Sequence, residues 1–244
     1  MKRMLLISLV AFSMQLFAQS DIPAGTVLPV SLNTSLHSRK VQPGEPITAR
    51  IMQDVPLASG STIRSGAKVT GHVVDVQPPT ATRGASISLR FDAVEVSKRQ
   101  IPIVTNLRAI ASMMAVDEAQ IPETGPDRGT PMNAWTTEQI GGEVVYRGGG
   151  PVARGDEVVG TPATNGVLVR VSSSPGDECR GEIDGNHRPQ ATWVFSSDAC
   201  GAYGLPYLAI AHAGRTNPVG TIMLRSPNGD LSLRAGSGLL LRVH

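Results

Sequence analysis

The chain has 244 residues, carries 22 Lys and Arg against 20 Asp and Glu, and spends only 4% of its positions on aromatic side chains. A near-neutral chain without a basic run gives a phosphate backbone little to hold, which excludes nucleic acid as the expected partner. Its 26 glycines and 18 prolines are spread between short apolar segments rather than gathered in tracts, a pattern of many turns and short strands and not of disorder.

Lys2 and Arg3 stand before an apolar run from Leu5 to Phe17, and the small-residue site Ala18-Gln19-Ser20 comes directly after it. This is the layout of a secretory signal peptide. With Ser8, Ser13 and Gln15 inside it, the run falls short of the roughly 18 to 20 apolar residues that an uncleaved anchor needs. Residues 1–20 are therefore expected to be removed and the rest exported to the periplasm, the cell surface or the medium. Losing Lys2 and Arg3 leaves 20 Lys and Arg against 20 Asp and Glu. No later segment is long and apolar enough to span a bilayer, and no cysteine directly follows the run to accept a lipid.

Period-two alternation predicts strands over 26–32, 47–52, 68–76, 85–96 and 101–104. In the fourth, Ile87, Leu89, Phe91, Ala93, Val94 and Val96 set an apolar side against Ser88, Arg90 and Asp92, and the slip near Ala93 predicts a β-bulge. Pro43-Gly44, Ser59-Gly60 and Ser65-Gly66 supply turns. These strands predict an N-terminal β domain over 21–105, built as a small barrel or a sandwich. Leu107, Ile110, Ala111 and Met114 then recur at helical spacing behind a capping Asn106, predicting one helix over 106–119. Pro122, Gly125, Pro126, Gly129 and Pro131 interrupt regular structure over 121–133, so 106–133 reads as helix and linker, or as a long functional loop inside one domain. Beyond it, 134–244 is expected to be a C-terminal antiparallel β domain, with strands over 143–146, 166–172, 192–196, 207–212, 220–225, 231–234 and 239–243. Asn228-Gly229 between two of these runs predicts a hairpin, and the last three strands an antiparallel meander.

Residues 22–76 open with Ile22-Pro23-Ala24-Gly25-Thr26, carry Asp54-Val55 at their centre, and continue through Ile63 to Gly66 and on to Gly71. In these features the segment resembles the β-barrel region of TrbI-like conjugative transfer proteins, the channel-forming scaffold of type IV secretion. The resemblance implies a barrel-like strand arrangement and a place in an envelope secretion channel. In that family the region comes after a cytoplasmic tail, an inner-membrane helix and a proline-rich arm; here it comes after the leader. The second half, with GGEVVYRGGGPVARGD at 141–156 and ATWVFSSDACGAYGLPYLAIAHAG at 191–214, is similar to secreted bacterial proteins of the same two-part layout, and that likeness implies no activity.

Cys179 and Cys200 are the two cysteines of the chain. Both are flanked by turn-prone residues, and an exported compartment is oxidising, so they are expected to form a disulfide that staples the C-terminal domain. A serine hydrolase would instead need Ser196 or Ser197 beside His212, with Asp198 or Asp184 orienting the imidazole. No Gly-x-Ser-x-Gly elbow surrounds these serines, and His212 shares an alternating face with Leu208 and Ile210, the place of a packed histidine. His37, His72, His187, His212 and His244 show no paired ligand spacing. Asp177, Glu178, Glu182 and Asp184 lack the calcium-loop pattern, and the glycines of 147–151 open no helix that would hold a phosphate. No metal and no cofactor are expected. Trp135, Tyr146, Trp193, Tyr203 and Tyr207 are five of nine aromatics, and they suit either a contact surface or a core. The expected function is a non-catalytic binding or structural module of the cell envelope, its partner an envelope protein or a glycan. The alternatives are a secreted hydrolase using Ser197 or Cys200 with His212, and a component of an envelope secretion channel.

Overall fold

A computed structural model of the chain describes residues 22–57, 60–120, 193–195 and 199–244 in full, and the backbone of six short strands between 136 and 191. The expected leader, the linker over 121–133, Ser196 to Asp198 and the segment 171–188 lie outside the described residues.

The described part is mainly β, as its punctuated alternation predicts. In chain order the elements are β1 (Val27–Leu32), β2 (Leu36–His37), β3 (Pro46–Ile51), β4 (Val55–Pro56), β5 (Thr62–Ile63), β6 (Lys68–Gln77), β7 (Ser86–Val96), β8 (Arg99–Pro102) and β9 (Thr105–Ala111). The helix α1 (Met113–Gln120) comes next, then the strands whose backbone alone is described: β10 (Thr136–Glu138), β11 (Val144–Arg147), β12 (Val152–Arg154), β13 (Glu157–Ala163), β14 (Gly166–Arg170) and β15 (Pro189–Ala191). The chain closes with β16 (Gly201–Tyr203), β17 (Ala209–His212), β18 (Ile222–Arg225), β19 (Ser232–Leu233) and β20 (Gly238–Val243).

The main sheet runs in the order β16-β9-β20-β1-β3-β6-β7-β18-β17, with β8 also paired to β7. Its pairings are antiparallel except β16 with β9, which is parallel. Strands β10 to β15 form a second, sequential antiparallel sheet, and β2–β19 and β4–β5 are short separate ladders. The strand segments expected for the first half are thus present, but the expected division into 21–105 and 134–244 is not a division of this sheet. Strand β20 lies between β1 and β9, pairing Val30 with Leu239 on one side and Ile110 with Leu239 on the other. The sheet is not closed into a barrel, although its ends approach: the Leu107 amide donates to the Ala213 carbonyl at 2.8 Å.

One face of this sheet carries the larger core. Leu28 and Val30 of β1, Ile47 and Ile51 of β3, Val69 and Val73 of β6, Ile87, Leu89 and Phe91 of β7, Leu107 of β9 and Ile222 of β18 belong to a single buried cluster. Side chains from near both ends of the sheet meet there, so the sheet curls around them. Residues of opposite parity on β1, β9 and β20, namely Val27, Ala109, Ala111 and Leu240, join Val116, Trp193, Val194, Phe195 and Ala199 in a second cluster. The three strands are therefore covered on both sides, which is why β9 is buried along its whole length. Each fully buried Leu, Ile or Phe contributes about 1.5–3 kcal/mol by leaving water.

The helix expected over 106–119 is replaced by β9 and the shorter α1. In the ladder with β20, Leu240 faces Ala109 and Leu241 faces Leu107, so Arg108 is an extra residue. That bulge puts Leu107 and Ile110 on one face three positions apart, which imitates helical spacing in a strand. The cap is Ser112 and not Asn106: its Oγ accepts the Ala115 amide at 3.1 Å and its carbonyl accepts that of Val116 at 3.0 Å. The expected terminal meander is also absent. Asn228-Gly229 makes a tight turn with Gly229 at φ 78°. Its flanking strands then part, β18 pairing with β7 and β17, β19 with β2, and β20 with β1 and β9.

Candidate functional site: a cleft on strands β6 and β7

Strands β6 and β7 are the longest among the described residues, with 10 and 11 residues. Alternation sends Val69 and Val73 to the core and His72 to the outer face, where the register sets it opposite Arg90. Next to this pair the ladder slips: Thr70 faces Ala93 while Gly71 faces Phe91, so Asp92 is the inserted residue. The bulge expected near Ala93 is present; alternation past the buried Phe91 keeps Asp92 on the same outer face as Arg90, and the bulge brings Ala93 there as well, opposite Thr70. At Gly71 a Cβ would run into the Arg90 carbonyl oxygen, so only glycine lets the two backbones meet beside the bulge.

His72 Nδ1 and Asp92 Oδ2 are 2.7 Å apart, and Arg90 Nε is 3.8 Å from Asp92 Oδ1. The three side chains are 41%, 43% and 38% exposed in the order His72, Asp92, Arg90, so they face solvent rather than a dry core. With Val74, Pro102, Ile103, Val104 and Thr221 they line an open cleft of about 400 Å³. Gly220 supports the far wall: its left-handed backbone, φ 80°, leaves room for Val104 and lies close to the Arg90 guanidinium.

The cluster's hydrogen-bonding capacity is only partly used. Asp92 Oδ2 takes up His72 Nδ1, which leaves His72 Nε2 without a hydrogen-bond partner among the described residues. Asp92 Oδ1 meets Arg90 Nε only at 3.8 Å, beyond hydrogen-bond distance, and the Arg90 terminal nitrogens have no partner among the described residues. Acceptors and donors therefore stand side by side at the mouth of an apolar-walled cleft. Sequence spacing did not single them out, because His72 lies on one strand and Arg90 and Asp92 on the next. The available signal was Arg90-x-Asp92 at alternate positions of a strand, with the bulge beside it.

The residues singled out by sequence are arranged otherwise. His212 Nδ1 lies 2.8 Å from the Thr221 carbonyl and 3.1 Å from the Gly214 amide, and Nε2 lies 3.2 Å from Thr216 Oγ1. The ring is thus held by its own loop; a bulge at Ala211 sets His212 opposite Met223 while Ile210 faces the buried Leu224, so His212 does not share the face of Leu208 and Ile210 that the alternating pattern predicts. Ser196, Ser197 and Asp198 lie outside the described residues, as do Asp177, Glu178, Cys179, Glu182, Asp184 and Trp135. Cys200 is half-buried, and its amide donates to Tyr203 Oη at 2.9 Å.

The aromatics divide between core and surface. Trp193 and Phe195 pack edge to face with ring centroids 6.4 Å apart in the second cluster, against which Tyr203 also rests. Tyr207 is 70% exposed. The side chain of Tyr146 lies outside the described residues.

Asp54, central to the segment that resembles TrbI-like proteins, serves a turn. It accepts the Ser65 amide at 2.9 Å and an Arg64 guanidinium N–H at 2.7 Å. The Ser65 amide above all, assisted by Arg64, holds its carboxyl below the ordinary value of 3.8 against the opposing effect of burial. No protein-family model matches the chain, and no curated protein matches it.

Proposed function

We propose that the protein is an exported, non-catalytic binding module of a bacterial envelope and that it holds its ligand in the cleft of His72, Arg90 and Asp92. The observation that carries this reading is the set of solvent-facing donors and acceptors on paired strands, beside an apolar wall, with no hydroxyl or thiol hydrogen-bonded to His72 among the described residues. A general base needs a nucleophile within reach of its free nitrogen, and among the described residues the hydrogen-bond partner of His72 is a carboxylate, that of Asp92. His212, the histidine of the hydrolase alternative, already has backbone and Thr216 partners.

The export half of the proposal rests on the leader pattern of residues 2–20, and the resemblance of 22–76 to TrbI-like proteins adds an envelope setting. In an oxidising compartment Cys179 and Cys200 pair, closing a loop of about twenty residues and adding about 3 kcal/mol of stability in the chain-entropy model. Thiol titration of the denatured, unreduced protein is expected to find no free thiol, and two after reduction. Labelling of the exported protein with a fluorophosphonate and with iodoacetamide tests the non-catalytic reading. No stoichiometric labelling is expected; labelling lost in Ser197→Ala or Cys200→Ala would overturn it in favour of the hydrolase.

A further inference from the structure

The ligand class is set by which hydrogen-bonding groups the cleft leaves open. With Nδ1–H given to Asp92, a neutral His72 presents Nε2 as an acceptor; Asp92 Oδ1 is an acceptor only, and Arg90 is a donor only. A ligand satisfying all three must donate and accept within a few ångströms. A carboxylate accepts from Arg90 but meets Asp92 as a like charge, and it gives His72 Nε2 nothing. A hydroxyl does both, and two adjacent hydroxyls can bridge Asp92 and Arg90 while a third reaches His72. Next to these groups, Val74, Pro102, Ile103 and Val104 offer an aliphatic surface without an aromatic ring, suited to the C–H face of a pyranose.

We propose that the cleft on the outer face of β6 and β7 is a saccharide-binding site, in which Asp92 and Arg90 span a vicinal diol and His72 Nε2 accepts from a neighbouring hydroxyl. This rests on the binding-module reading and narrows it to a glycan ligand. Asp92 is a contact residue that also orients His72; the ladder register sets His72 opposite Arg90, and alternation along β7 sets Asp92 next to it.

The test is a titration of the full-length exported protein, ¹⁵N-labelled, with methyl glucosides and N-acetylglucosamine, monitored by amide chemical shifts. Two further arms use cyclohexanecarboxylate and an N-acetyl dipeptide amide. The saccharides are expected to move the amides around His72, Arg90 and Asp92, and Arg90→Gln and Asp92→Ala to weaken binding at least about tenfold, equivalent to about 1.4 kcal/mol, with dispersed spectra retained. At least one monodeoxy sugar is expected to lose a similar factor. No saccharide-induced shift, or equal binding by every deoxy sugar, overturns the proposal. Binding of the carboxylate or dipeptide in place of sugars overturns the saccharide and leaves the module reading standing; fluorophosphonate labelling of Ser197 overturns the module reading itself.

Discussion

Gly71 lets β6 and β7 approach closely, because a methyl group there would run into the Arg90 carbonyl oxygen. Gly71→Ala is therefore expected to lower the stability by about 1–3 kcal/mol, read as a shift of the urea midpoint, by forcing apart the strands that carry the cleft. Asp54 makes a prediction of a different kind. Its folded carboxyl titrates below its unfolded value, so it contributes stability that is present above about pH 4 and is lost as pH falls through the depressed folded value. Asp54→Asn is expected to cost about 1 kcal/mol at pH 7. Urea melts should show that difference shrinking toward zero near pH 2, and a pH-independent difference would contradict the assignment. Both residues were visible in the sequence only as turn chemistry. His72, Arg90 and Asp92 were visible as polar positions on strands, but their meeting depends on a cross-strand register, which a single sequence does not state.

Among the elements, β9 departs from its expected form for a local physical reason. A β-bulge at Arg108 shifts a period-two pattern by one, so Leu107 and Ile110 fall at helical spacing although β9 is a strand between β20 and β16. The segment's own local signals agree with the shorter helix: Ser112 is a good cap, and the first residues after it are methionine and alanine. Ser112→Ala is expected to cost about 1 kcal/mol and to fray α1, measurable by amide exchange at Ala115 and Val116. Asn228-Gly229 likewise marks a true turn but not a hairpin, since a tight turn reverses the chain without choosing the strand's partner. The partner is chosen by apolar burial. Leu241 of β20 fits the larger core against Leu107 rather than against β19, and Leu241→Ala is expected to cost about 2–5 kcal/mol in urea denaturation.

The whole molecule joins the two ends of the chain. The division expected at 106–133 coincides with a real break in composition, yet long-range pairing carries β16, β17, β18 and β20 back across it into one sheet with β1, β3, β6, β7 and β9. The cleft depends on that return, because Thr221 completes a wall begun by His72, Arg90 and Val104. Contacts so distant in sequence leave no local trace, whereas the alternation within each strand does. Both the sheet and the cleft on it thus need the two ends of the chain, and expression of residues 21–105 alone tests this dependence directly. The fragment lacks the strands that cover β1 and β7, so it is expected to give a collapsed amide spectrum and no cooperative urea transition. A dispersed spectrum with a cooperative transition would show an independent N-terminal domain and contradict that dependence.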